Sequence, residues 1–173
     1  MRIKLALLLL LPVLGYLNLG ILNKESLKAN GETILLELAP RDPRSLLQGD
    51  YMALNYRLHN ELGRKRELRG HRGQIVIKKD DNGVAKLDRI YNGEDLAENE
   101  RLLRFNFSGR RPEVATHSFF FQEGKAKAFE AARYGIFKLD SDGNLMLVDL
   151  ADENREPINP KTYNEEQPAT NAQ

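Results

Sequence analysis

The chain of 173 residues contains no cysteine. This absence excludes disulfide bonds, cysteine nucleophiles, thiolate metal sites and lipid attachment through a cysteine. A strong charge of one sign is missing as well, since 26 Lys and Arg residues balance 25 Asp and Glu residues. Without a basic excess there is no electrostatic basis for nucleic-acid binding. We therefore predict that the protein does not bind nucleic acid.

Histidine is also scarce, and its spacing indicates no metal site. The three histidines, His59, His71 and His117, lack the i, i+4 spacing that brings two imidazoles to one metal. We expect them at the surface or in an interface. The Asp140-x-Asp142-Gly143-Asn144 string resembles a calcium loop but lacks the terminal glutamate and the ladder of oxygen ligands, so a hairpin turn is favoured. The sequence predicts neither a metal nor a cofactor.

The N-terminal segment has the pattern of a membrane anchor. Arg2 and Lys4 precede residues 5–22, a leucine-rich run without any charged residue. At about 1.5 Å per residue a helix of this length spans about 27 Å, close to the thickness of the hydrocarbon core. The positive-inside rule places residues 1–4 in the cytoplasm, residues 23–158 in the periplasm, and the lipid bilayer around residues 5–22. A cleaved secretory signal is the alternative, although the end of the run offers no good small-x-small cleavage site.

The rest of the chain predicts an α+β fold that is mostly antiparallel β. Helix is predicted to continue over residues 23–31 and to recur over 125–133, where Gly135 ends it. Residues 63–73, rich in Arg and Gly, are predicted to form an exposed loop, and residues 159–173 a disordered tail. Asp/Asn-Gly turns at 80–83 and 140–144 indicate two hairpins. Strands are predicted at 33–38, from Tyr51 onward, and at 74–78, 84–90, 102–107, 118–121, 136–139 and 145–150.

The most distinctive string is Gly49-Asp50-Tyr51-x-x-Leu54-x-Tyr56. Gly49 and Asp50 are turn formers, and a strand is predicted after them because apolar side chains alternate at Met52, Leu54, Tyr56 and Leu58. Those four should face a core. Asp50 either holds the turn through backbone amides or offers its carboxylate to a cation on a partner.

This string resembles the defining motif of the GDYXXLXY family, a group of bacterial membrane-anchored proteins. The stretches 39–48 and 119–124, Ala131-x-Arg133-Tyr134, and Asp142-Gly143 are similar to other segments of that family. The resemblance carries over no activity, but it implies a partner, because such proteins are often encoded beside a multi-pass membrane protein. The predicted function is a periplasmic accessory or interaction domain anchored in the inner membrane by a single span.

A second group of residues is a candidate interaction surface or second motif: Phe121, Gln122, Glu123, Gly124 and Tyr134. Glu123 follows three phenylalanines, so it is either a buried acid with a raised pKa or the start of a helix. Tyr51, Tyr56 and Tyr134 are candidates for general acids or groove residues, but half-buried packing with a hydrogen-bonded hydroxyl is favoured for them.

An enzymatic alternative is a signal-peptidase-like hydrolase. Leu46-Leu47-Gln48-Gly49-Asp50 resembles a string of type I signal peptidases, which share the anchor and the compartment. The nucleophile of those enzymes corresponds to Arg41 here, so such an activity would be degenerate. Ser45 with a desolvated Lys86 is the remaining candidate dyad, and no enzymatic activity is predicted.

Overall fold

The computed structural model describes residues 2–39, 47–48, 51–65, 68, 70–109 and 111–160, with side chains from Leu10 onward except those of Leu47, Gln48 and Ser108. The chain divides into two compact units, one up to Gly31 and one from Glu32 onward. The predicted tail lies outside the described residues beyond Pro160. The elements are α1 Arg2–Asn30, β1 Glu32–Glu37, β2 Leu47–Gln48, β3 Tyr51–Ala53, α2 Arg57–Arg64, β4 Arg72–Lys79, β5 Ala85–Ile90, β6 Glu100–Ser108, β7 Arg111–Glu113, β8 Ser118–Phe120, α3 Ala126–Phe129, β9 Tyr134–Leu139 and β10 Leu145–Ala151.

The first unit is helix α1. It ends as predicted, with the Gly31 amide donating to the Leu27 carbonyl at 2.9 Å. Large apolar side chains along residues 10–22 are exposed. The membrane span predicted for residues 5–22 is not confirmed, because none of the helices in the described part of the chain combines the length and the apolar composition that a crossing requires.

The second unit consists of three small antiparallel sheets around one core. Their strand orders are β1-β9-β10, β2-β3-β8 and β5-β4-β6-β7. All three sheets contribute to the same buried cluster, through residues such as Ile34, Met52, Ile75, Leu103 and Phe137. The predicted α+β class with mostly antiparallel strands is therefore confirmed.

Both predicted hairpin turns are present, and both use the same local chemistry. The Asp80 carboxylate accepts the backbone N–H of Asn82 at 3.0 Å and of Val84 at 2.9 Å. The Asp140 carboxylate accepts the N–H groups two and four residues further on in the same way. Gly83 and Gly143 supply the positive φ angles, 79° and 85°, that such turns need. Asp140 is thus engaged by its own turn, as expected of a hairpin.

The strand predicted from Tyr51 onward is too long. β3 ends at Ala53, and helix α2 begins at Arg57 after Tyr56, whose extended backbone (φ −104°, ψ 146°) forms the N-cap. Leu58 continues the two-residue period of a strand that begins at Met52, and it also lies about one helical turn before Leu62. All three side chains are buried, so burial alone does not distinguish strand from helix at Leu58. The alternation of apolar residues predicted the buried side chains correctly, but the backbone beyond Ala53 is not a strand.

Two other boundaries are corrected. The helix predicted for 125–133 is only Ala126–Phe129, and Gly135 lies inside β9. A Cβ on Gly135 would lie 2.7 Å from the Phe137 ring and 3.3 Å from the Tyr56 ring, so packing requires glycine there. The loop predicted for 63–73 is shorter, because Arg64 belongs to α2 and β4 starts at Arg72.

Candidate functional site

The residues of the motif Gly49-Asp50-Tyr51-x-x-Leu54-x-Tyr56 lie partly in the core and partly at the surface. Gly49 and Asp50 lie outside the described residues. Leu54 is 3% exposed and Tyr56 is fully buried, whereas Tyr51 in β3 is half-buried. The motif residues that the structure describes therefore include two that build the core and one that reaches the surface.

Leu54 and Tyr56 fix the segment that precedes β8. The Leu54 amide donates to the His117 carbonyl at 2.8 Å, and the Tyr56 hydroxyl donates to the Thr116 carbonyl at 3.1 Å. The Tyr56 ring also packs edge-on against Phe137, 5.5 Å away. Because burial raises its pKa, Tyr56 stays protonated and serves as a packing residue, as favoured from the sequence.

Next to this segment lies a groove of about 1020 Å³. One wall is α2, with His59, Asn60, Gly63 and Arg64, and the other is β7, Arg111–Glu113. Tyr51, Ala53, Leu54, Asn55, His117 and Ser118 complete the lining. The groove is thus formed around the part of the motif that remains at the surface.

Two of the three histidines meet at this groove. The rings of His59 and His117 are 4.9 Å apart, and His59 also packs edge-on against Tyr56 at 5.1 Å. The histidines were expected at the surface or in an interface. His59 is only 5% exposed, so it does not lie at the surface, whereas His117 and His71 are exposed. Burial, with a smaller contribution from the charge of His117, lowers the pKa of His59 to about 4. His59 is therefore neutral at physiological pH.

The second group of candidate residues, 121–124 and Tyr134, does not line the groove. Phe121 stacks on Phe129 at 5.4 Å and packs against the core. Gln122, Glu123 and Gly124 are exposed and precede α3, so Glu123 is not a buried acid. Tyr134 is half-buried in β9, opposite Glu37 of β1.

The candidate Ser-Lys dyad of the enzymatic alternative has no support at Lys86. A Ser-Lys mechanism needs a desolvated amine, but the Lys86 side chain is 67% exposed and its amine lies 3.6 Å from the Asp80 carboxylate. Ser45 lies outside the described residues.

A cluster of charges on the four-stranded sheet is a further candidate. Arg89 donates to both oxygens of Glu100 at 2.7 and 3.0 Å, and also to Asp88 and Glu94. These bonds from Arg89, together with the Ala97 amide, lower the pKa of Glu100 to about 2. Since these charges are satisfied by one another, we interpret the cluster as a structural link between β5 and β6.

The family model described as GDYXXLXY protein matches residues 13–150. That range includes every described strand and helix of the second unit except the last residue of β10. Among curated proteins and solved structures, none matches the chain.

Proposed function

Because the chain belongs to the GDYXXLXY family, we propose that it is a membrane-anchored accessory domain that docks onto a multi-pass protein of the inner membrane from the periplasmic side. The docking surface in this proposal is the outer face of β3 and β8. The sequence alone predicted an accessory or interaction domain, and the face of β3 and β8 is the part that we now assign to the contact.

The observation that carries the proposal is the exposure of Phe120. In the antiparallel pair of β3 and β8, Tyr51 lies opposite Phe120 and Ala53 opposite Ser118. Side chains of residues directly opposite share one face of a sheet. That face is the outer one, because Met52 and Phe119 on the other face pack into the core.

Phe120 is unusual among the apolar residues of the second unit. It is 75% exposed, while the other large apolar side chains described there as exposed, Leu96 and Val148, reach 40% and 38%. Its ring lies 5.8 Å from that of Tyr51. Aromatic residues that protrude near a groove are typical anchors of protein interfaces. β8 is also the edge strand of the β2-β3-β8 sheet among the described residues, so its outer side is accessible to a partner.

The anchor is proposed from the apolar run at residues 5–22 and from the exposed apolar side chains of α1. An anchor confines the domain to the membrane surface and so raises its effective concentration near a membrane partner. A weak contact through Tyr51 and Phe120 would then be populated.

Replacing Tyr51 with alanine is expected to remove the partner while keeping the fold. Loss of an aromatic anchor weakens an interface by about 2 kcal/mol or more, which is about thirtyfold in affinity. The measurement is capture of the tagged full chain from spheroplasts of its native host with a membrane-impermeant amine crosslinker, followed by mass spectrometry. The impermeant reagent reacts only if the domain faces outward.

Tyr91→Ala is the matched control, because Tyr91 is also half-buried but belongs to neither β3 nor β8. The proposal is supported if the unaltered chain and Tyr91→Ala both capture the same membrane protein and Tyr51→Ala does not capture it, at equal levels of folded protein. Equal capture by all three chains would refute the docking surface, and no reaction from outside would refute the topology.

A further inference from the structure

The groove contains two arginines without a carboxylate partner among the described residues. Arg64 lies at the end of α2 and Arg111 at the start of β7, whereas Arg57, Arg89 and Arg101 all make ion pairs. The two segments meet closely, because a Cβ on Gly63 would lie 3.9 Å from the Pro112 ring. Each arginine is adjacent in the sequence to one of those two residues and lines the groove, so the two arginines belong to the same end of it.

Among the described residues that line the groove, the balance of charge is positive. Glu113 is the one acidic residue in that set, against Arg64 and Arg111. Asn55, Asn60 and Ser118 add side chains that can donate hydrogen bonds. Arginine presents a rigid set of N–H donors that fits carboxylate and phosphate groups.

His59 supplies a second and independent observation. Its Nδ1 is buried and has no hydrogen-bond partner in the described part of the chain. The Val114 amide donates to Nε2 at 3.4 Å, which leaves the proton of the neutral ring on Nδ1. A buried N–H group without an acceptor is destabilising, and such groups in native proteins call for an explanation.

The same tautomer argues against a metal at this histidine. A metal at Nδ1 needs the lone pair that the proton occupies, and moving the proton to Nε2 would set two N–H groups against each other at Val114. Within the described residues no group of three His, Asp or Glu side chains could hold a metal ion. What Nδ1 lacks is an acceptor oxygen.

We propose that this groove is a binding site for a ligand with a carboxylate or phosphate group, held by Arg64 and Arg111, with an oxygen that accepts the proton of His59 Nδ1. The exposed His117 ring, which packs against His59, is the side chain that such a ligand displaces. The inference goes beyond the docking function and does not depend on it. Two sources share this chemistry, a small free anion and the headgroup of an anionic lipid.

The test is a titration of the full chain in micelles of an uncharged detergent at constant ionic strength. The probes are inorganic phosphate, citrate, dihexanoylphosphatidylglycerol and, as the zwitterionic comparison, dihexanoylphosphatidylcholine. Binding is followed by calorimetry and by the ¹⁵N and ¹H resonances of the imidazole rings. We expect at least one anionic probe to bind and to shift the His59 Nδ1–H resonance, and we expect no such shift with phosphatidylcholine.

The double variant Arg64→Gln/Arg111→Gln is expected to bind at least tenfold more weakly. Arg72→Gln is the control, since Arg72 is also exposed and does not line this groove. Phosphate or citrate binding identifies a free anion as the source, and binding of phosphatidylglycerol alone identifies a headgroup. Equal affinity in the double variant and the unaltered chain, or no binding of any anionic probe, overturns the proposal. Neither of these titration results affects the capture of a membrane partner. The anion site and the docking surface can therefore be refuted independently of each other.

Discussion

Replacing Tyr56 with alanine is expected to leave the second unit largely unfolded. Tyr56 is fully buried and packs edge-on against Phe137 and His59, and its hydroxyl donates a hydrogen bond to the Thr116 carbonyl. Truncating a large buried aromatic residue costs about 3–5 kcal/mol. Domains are stable by only about 5–15 kcal/mol, so the loss is a large part of the total.

The measurement is urea unfolding of the full chain in an uncharged detergent, followed by near-ultraviolet circular dichroism. Tyr56→Phe is the matched variant, because it keeps the ring and removes only the hydrogen bond to Thr116. It should cost about 1 kcal/mol. A Tyr56→Ala chain as stable as Tyr56→Phe would show that the ring does not hold this core together.

The second large effect is a loss of stability in mild acid that depends on His59. Its pKa is about 4 in the folded protein and about 6.5 in an unfolded chain. Between these values the unfolded state binds the proton and the folded state does not, so stability falls as the pH decreases. The contribution is complete above about pH 6.5 and is lost towards pH 4, and it amounts to about 3 kcal/mol.

His59→Gln should remove most of this pH dependence, because its amide oxygen can still accept from Val114 but does not titrate. The free energy of unfolding is measured from pH 7 to pH 4.5 in both chains, and the difference between them isolates His59 from carboxylates that titrate lower. His71→Gln, at an exposed position, is the control. Parallel curves for His59→Gln and the unaltered chain would mean that His59 is not buried as a neutral ring.

Local chemistry explains what could be predicted from the sequence. The Asp80 and Asp140 turns depend on a carboxylate and a glycine a few residues apart, and both hairpins formed at the predicted places. Alternation also identified the buried side chains of Met52, Leu54 and Tyr56 correctly. It failed after Ala53, because Leu58 fits a strand and a helix equally well.

The groove could not be predicted, because its parts are distant in the sequence. His59 and His117 meet only when β3 pairs with β8 and Tyr56 bonds to Thr116. In the run of three phenylalanines, hydrophobicity alone does not say which one faces outward. Pairing with β3 decides that it is Phe120.

The central claim is that the outer face of β3 and β8 contacts a membrane partner. The most direct measurement replaces Phe120 with the photoreactive p-benzoylphenylalanine in the native host and identifies the adduct by mass spectrometry. Val148, exposed on β10, carries the same probe as the control. We predict one adduct with a multi-pass membrane protein from position 120 and none with that protein from position 148. The same adducts from both positions, or no adduct from position 120, would contradict the account.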